Sequence, residues 1–467
     1  MSARTDLQHE IDSLPLVDTH EHLHKEDRWV GDGPDILQDL FGNYATSDLL
    51  VAGAPPDAVE RLLDSSAADL GARFLPVRDA WEAIRLTGYG EAVRLIAREI
   101  YGLEELTVDG LEAAQETLTS LRRPGERLRL LREVARLDHV QIDDFEPACL
   151  PDASGPDFFL YDISWEKLAS GDVTGLDVAS LDELRTVIGE IFERYAACAI
   201  AVKTQHAYFR TLAWAERSDD EASRALAAVL AGGDVDESAR LALGDWCIGR
   251  AAELAAEHDL PLKIHTGHLA GTGSMPVDRV RPSHLCGLLA RYPQTRFVLM
   301  HISYPYSDEL ISIAKHFPNV WVDLCWAWSI NPYSATDFVR RFLHAVPVNK
   351  LFAYGGDTSW PTASVAYAAQ ARRGLARALE AEVAAGDLTA REAIAVAHRV
   401  MRDNQYACFD IEGTRAAIHR AASCSRAGVA GCLNDVGDQP TQEPAQEPAP
   451  RKHRTSRTSG AARRCIC

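Results

Sequence analysis

Two histidines one residue apart, His20 and His22, stand in the apolar run from Leu14 to Leu23. In a β-strand, side chains alternate between faces, so residues i and i+2 project to the same side. Two parallel imidazoles on a rigid backbone make half of a transition-metal site. Three later apolar runs also end in a residue of ligand type: Leu262-Lys-Ile-His265, Phe297-Val-Leu-Met-His301 and Leu351-Phe-Ala-Tyr-Gly-Gly-Asp357. A fourth run, Cys198-Ala-Ile-Ala-Val-Lys203, ends in a lysine. Neutral imidazoles bind borderline divalent metals, and three of them with one carboxylate leave a position for water. An ion held in this way lowers the pKa of its water and makes it a nucleophile. Asp357 is the candidate ligand and proton acceptor, and His301 the candidate group to polarise a carbonyl or orient the water. Each residue also has a plainer reading: His265 as a core histidine bonded to backbone, Asp357 as a helix N-cap, Lys203 as a solvated strand end or a clamp for a substrate carboxylate. His24, His206 and His268 read as loop or supporting groups.

The elements that must carry these residues are eight strand-like runs: 14–20, 138–142, 158–163, 198–203, 260–265, 296–301, 320–324 and 351–354. Helical patterns separate the later ones, at 181–195, 236–257, 282–292, 306–316 and 336–344, and two more follow the last strand at 362–385 and 390–406. Thr389 followed by Glu392 is a capping-box pattern for the second of these. Regular alternation of strand and helix means a parallel sheet, and eight repeats close best as an α/β barrel, (β/α)8. Such a barrel keeps its chemistry at the carboxyl ends of its strands, where His20, His22, Lys203, His265, His301 and Asp357 all fall. Residues 24–135, rich in Leu, Ala, Arg and Glu at helical spacing, read as a helical insertion after the first strand. The barrel with its insertion is expected over residues 1–424, and the Pro-rich, then basic, stretch 425–467 as a disordered tail. Truncation before Gln439 should therefore leave melting temperature and turnover nearly unchanged; a large drop in either would show that the tail docks.

At 467 residues the chain has room for about three average domains or for one barrel with insertions. Its net charge of −20 disfavours nucleic acid and anionic membrane as partners. The six basic residues of 451–467 have no acid among them, so the remainder is more acidic still. No run approaches the length of a membrane span, and the N-terminus lacks the apolar core of a signal peptide. Ten dispersed cysteines without a Cys-x-x-Cys pair read as reduced thiols, and a cytoplasmic location is the expectation. The terminal Cys-Ile-Cys is similar to a doubly prenylated end, but three residues carry little weight.

Aromatic residues and an arginine follow several strands: Tyr208 and Arg210, Tyr304 and Tyr306, Trp326 and Trp328, Trp360. Of these, Arg210, Tyr208 and Trp328 are the candidate substrate-binding residues, suited to a flat or sugar-like molecule carrying a carboxylate. The alternative is that several of them pack the insertion onto the barrel.

The ordered set, His-x-His on strand one, histidines ending strands five and six, and an aspartate after strand eight, resembles the amidohydrolase superfamily over about residues 14 to 405. Val-Lys203-Thr, His265-Thr-Gly-His, Met-His301-Ile-Ser and Gly-Gly-Asp357-Thr-Ser-Trp look like its amidohydrolase-related branch. That branch includes relatives of uronate isomerases, of nonoxidative aromatic-acid decarboxylases and of amidohydrolase domains fused to glutamine synthetase-like proteins. The resemblance implies that His20, His22, His265 and Asp357 carry a divalent ion, with zinc the expected metal, while His301 assists. It also implies that Lys203, if carboxylated as in two-metal members, would bridge a second ion held by His265 and His301. The leading expectation is a hydrolase of an amide-like C–N bond in a small, carboxylate-bearing substrate. Decarboxylation of an aromatic or enol acid and uronate-type isomerisation are the alternatives. A barrel kept for binding alone is disfavoured because no ligand position is lost. The expected partner is a small molecule; homo-oligomerisation is left open.

Overall fold

The computed structural model describes residues 6–232 and 235–426. Eight parallel strands follow one another around a barrel in sequence order: β1 (Leu16–Glu21), β2 (Leu137–Ile142), β3 (Phe159–Ser164), β4 (Ala199–Thr204), β5 (Leu262–Ile264), β6 (Phe297–Leu299), β7 (Val320–Asp323) and β8 (Leu351–Phe352). All eight expected strands are present, with ends shifted by a few residues. The seam is closed by backbone bonds from Thr19 N to Tyr354 O (3.1 Å) and from Asp357 N to His20 O (2.9 Å). Strands covered on both faces read as nearly continuous apolar runs, which is why β4 and β6 were visible in sequence. The expected helix 390–406 is broken into Ala390–His398, a π turn at Arg399–Asp403 and Asn404–Cys408, and its capping box at Thr389 and Glu392 is formed.

The insertion after β1 is helical, with segments running from Glu26 to Arg129. Its helix Gly88–Tyr101 packs against Pro361–Ala385, the helix that follows β8. Gln370 fixes that contact by donating from Nε2 to Gly88 O at 2.9 Å. A last helix, Ile411–Arg426, was not expected. Its Ile411 and Ile418, with Phe409 just before it, form an apolar cluster with Leu160 of β3, Ile200 of β4, Val298 of β6 and Phe352 of β8. This cluster closes the amino-terminal end of the barrel, leaving the carboxyl end for chemistry. Most of the expected tail lies outside the described residues, as does the terminal Cys-Ile-Cys. Among the described residues no helix is long and apolar enough to cross a membrane.

Beneath the rim the barrel interior holds a fully buried ion pair. Lys263 Nζ donates to both oxygens of Asp162 at 2.9 Å and to Thr19 O at 2.8 Å. Burial raises the Asp162 carboxyl to about 6 despite the neighbouring ammonium. Lys263→Met should cost about 3–5 kcal/mol in urea unfolding, because it strands a buried carboxylate. A smaller loss that grows as pH rises above 6 would show that Asp162, without the lysine that lowers its pKa, takes up a proton instead.

Candidate metal centre

His20 and His22 leave the end of β1 on the same face, and Asp357 follows β8 next to them. His20 Nε2 and His22 Nε2 each lie 3.4 Å from Asp357 Oδ1. The three ligand atoms fall within 4.8 Å of one another, as a metal site requires. His22 Nδ1 is 2.7 Å from Asp143 O and donates to it, so its Nε2 lone pair faces the carboxylate. His301 is set the same way, with Nδ1 donating to Cys325 O at 2.9 Å. Its Nε2 is buried without a partner, 3.8 Å from Asp357 Oδ2.

Electrostatics agree with these roles. Burial drives the His20 and His265 imidazoles well below their ordinary pKa, and His301 down to about 4, so all three are neutral bases at pH 7. Burial alone would raise Asp357, but the contact with His20 and the surrounding imidazoles outweigh it and hold the carboxyl well below its usual range. His22 Nε2 and His301 Nε2, each with its Nδ1–H donated to a backbone carbonyl, face the Asp357 carboxylate with lone pairs, an arrangement that a cation among them would complete. The donor set, nitrogen and oxygen with no thiolate, fits zinc or a similar borderline divalent ion.

The local backbone is bent to make this arrangement. His301, Ile302, Ser303, Trp326 and Asp357 all have left-handed φ, as do Tyr44 and Phe145 beside them; only Arg136 and Asp259 do so elsewhere among the described non-glycine residues. Such residues cost about 1–3 kcal/mol each and persist where the surroundings over-determine them. Gly356 is needed for a different reason: a Cβ there would lie 2.0 Å from Glu21 Oε1. Glu21 in turn accepts from Thr358 Oγ1 at 2.9 Å, tying the loop after Asp357 to β1.

His265 does not join His20, His22 and Asp357. Its Nε2 donates to His268 O at 2.9 Å, and its ring centroid lies 4.2 Å from that of His301. Lys203 is fully buried, with Nζ 3.2 Å from His20 Nε2, 3.4 Å from Gln205 Oε1 and 3.9 Å from Asp143 Oδ2. Tyr208 reaches the rim, its ring 4.9 Å from that of His265 and its hydroxyl accepting from Ala270 N at 3.0 Å.

Two expected substrate contacts point elsewhere. Arg210 is buried, bonded to Asp245 Oδ1 at 2.5 Å and to the carbonyls of Ala169, Thr211, Ala213 and Leu241. A guanidinium so saturated is structural and leaves no fork for a substrate carboxylate. Trp328 donates from Nε1 to Ala353 O at 2.8 Å and packs against Gly374, behind the rim. Trp326 stands over the site instead, 5.5 Å from His301 and 5.6 Å from His268 by ring centroids.

Residues that sequence reasoning missed complete the rim. Tyr44, from the insertion, donates its hydroxyl to Asp357 O at 2.6 Å, and Phe145 stacks on His22 at 4.5 Å. Asp143 and Glu166, after β2 and β3, bring carboxylates toward Lys203 and His22. Burial, with Asp143 nearby, raises the Glu166 carboxyl. Gly88-Tyr89-Gly90 was the one local hint in the insertion, an aromatic residue held between two residues without side chains.

A profile described as amidohydrolase matches residues 160–404, over half of the chain. The chain belongs to the amidohydrolase family. This is an enzyme family that acts on small molecules, and the match spans β3 to β8, so it includes Lys203, His265, His301 and Asp357. This amidohydrolase is also similar to the protein fluG of Emericella nidulans, 28% identical over 175 residues. That stretch covers 36% of this chain and 20% of fluG, so the chain spans about a fifth of that relative. Among solved structures it resembles uronate isomerase from Thermotoga maritima, with a TM-score of 0.71 and 16% identity over 86% of this chain and 96% of the other. Glucuronate isomerase from Caulobacter crescentus gives 0.68 and 17% over 86% and 92% of the two chains. A Lactobacillus casei protein, provisionally described as a metal-dependent hydrolase, gives 0.62 and 16% over 88% and 99%. At such identities the likeness establishes the barrel fold of this amidohydrolase and leaves its reaction to the site.

Proposed function

We propose that this amidohydrolase is a metal-dependent hydrolase that cleaves an amide-like C–N bond in a small, carboxylate-bearing substrate. The observation that carries the reading is the convergence of His20 Nε2 and His22 Nε2 on Asp357 Oδ1, with the free Nε2 of His301 on the other carboxylate oxygen. His20, His22 and Asp357 would hold a divalent ion, zinc on this donor set, which when bound would supply an acidified water and Lewis-acid polarisation. Asp357, ionised and shared between ligand and base, takes the water's proton and can return it to the departing nitrogen. His301, neutral and with its Nδ1–H donated to Cys325 O, presents the Nε2 lone pair, which accepts a hydrogen bond from the attacking water and orients it rather than polarising a carbonyl. Lys203 is the cation that remains beside the ion once Arg210 is assigned to the scaffold. As an ammonium it holds a substrate oxygen; carboxylated, it would serve a second ion with His265 and His301.

Uronate-type isomerisation is the second reading, supported by the fold shared with the two isomerases. The saturated guanidinium of Arg210 does not separate the two readings, because either substrate carries a carboxylate that another group would have to grip. A panel of N-acyl amino acids, uronates and aromatic acids given to the zinc-loaded protein separates the possibilities. Release of amine from N-acyl compounds is expected; turnover confined to uronates or to CO₂ release would replace the hydrolase reading.

A further inference from the structure

The insertion carries a side chain whose chemistry the metal centre does not use. Tyr89 is 7% exposed, and its hydroxyl has no partner within the chain. Its ring stacks at 18° on Trp326, with centroids 6.2 Å apart, and at 27° on Tyr44 at 5.5 Å. Trp326 is 1% exposed, and its Nε1 is also unpartnered. Two adjacent rim aromatics thus hold two buried donors with no acceptor, and leaving a buried donor unpaired costs about 1–3 kcal/mol. Tyr44, on which Tyr89 stacks, bonds Asp357 O, and Trp326, its other neighbour, lies 5.5 Å from His301 by ring centroids, so Tyr89 is on the site side of the insertion.

The backbone holds Tyr89 in place. A Cβ at Gly88 would meet Ser329 O at 2.0 Å, and one at Gly90 would meet Ile84 O at the same distance. Thr87 caps the helix through Gly90 N at 3.0 Å, and Gln370, which also accepts from Ser329 Oγ at 2.8 Å, holds Gly88 O. Ser329 belongs to the turn that presents Trp326, so the two donors are locked to one another through the glycine contact. Rigid support of this kind is what a binding group needs and a packing residue does not.

From this geometry we infer that Tyr89 and Trp326 form a substrate subsite in which the phenol hydroxyl and the indole N–H donate to a carboxylate or carbonyl oxygen of a planar substrate group. The inference deepens the proposed function by naming what replaces the arginine clamp, and it rests on that reading for the neighbouring ion. Neutral donors between aromatic faces favour an aromatic or conjugated acid over a polyhydroxylated one.

The test uses the full-length, zinc-loaded protein and its Tyr89→Phe variant, titrated calorimetrically with benzoate and, separately, with azide, which needs only the ion. Wild-type protein should bind benzoate, and the variant should bind it about tenfold more weakly or worse, the usual effect of losing one hydrogen bond to a charged acceptor. Azide affinity and zinc content should be unchanged, and melting temperature should not fall, because the substitution removes an unpaired buried hydroxyl. Equal benzoate affinity in both proteins, no benzoate binding by wild type, or a parallel loss for azide would each overturn the subsite. Binding is read without turnover, so the two ideas fail separately. A Tyr89-dependent benzoate site in a protein that releases no amine would reject hydrolysis alone, and amine release with Tyr89-independent binding would reject the subsite alone.

Discussion

Asp357→Asn should lower turnover by at least about 10²–10⁴-fold, the usual worth of a general base, with further loss from weakened activation of water. The substitution keeps size and one oxygen ligand, so part of the bound metal should survive, and elemental analysis of the same sample separates loss of ion from loss of base. The backbone makes the comparison clean: Asp357 sits at φ 58°, a conformation that Asn tolerates nearly as well as Asp. His301→Asn should fall less, because that imidazole only orients the attacking water. Near-normal turnover in Asp357→Asn would reject this residue as the base.

His20→Ala should strip most of the divalent ion that the purified wild-type protein carries, expected at about one per chain and to be zinc. His20 is fully buried, so no solvent-exposed group can swing in to replace its nitrogen. His22 and Asp357 would remain, but two ligands of a tetrahedral set bind far more weakly than three. Inductively coupled plasma analysis after dialysis gives the occupancy directly. Full occupancy in the variant would mean that the ion lies elsewhere, and His265 with His301 would become the first place to look.

The metal centre was legible in sequence to the extent that its residues end strands. His20 and His22 follow the two-residue period of β1, and Asp357 follows β8 after two glycines that only a close approach explains. His265 was legible as a rim residue but not as to where its ring would turn, because the carbonyl of His268 decides that and lies in an irregular loop. Trp326 and Trp328 could not be told apart by parity, since Trp326 itself takes a left-handed φ and breaks the alternation. Arg210 looked like a clamp because its partner Asp245 lies thirty-five residues away on the helix Glu237–Glu257. Lys263 was passed over inside β5, where it meets Asp162 from a strand two places away. Tyr44 and Tyr89 belong to an insertion whose helical period reveals its packing faces but not which face overhangs the barrel.

The claim that this amidohydrolase uses water to break a C–N bond is tested most directly by isotope transfer. The N-acyl compound it turns over fastest is incubated with the zinc-loaded enzyme in oxygen-18 water, and the acid product is weighed by mass spectrometry after a single turnover. Hydrolysis predicts one solvent oxygen in the new carboxylate. Turnover that yields an unlabelled product would contradict the account and leave decarboxylation or isomerisation to explain the site.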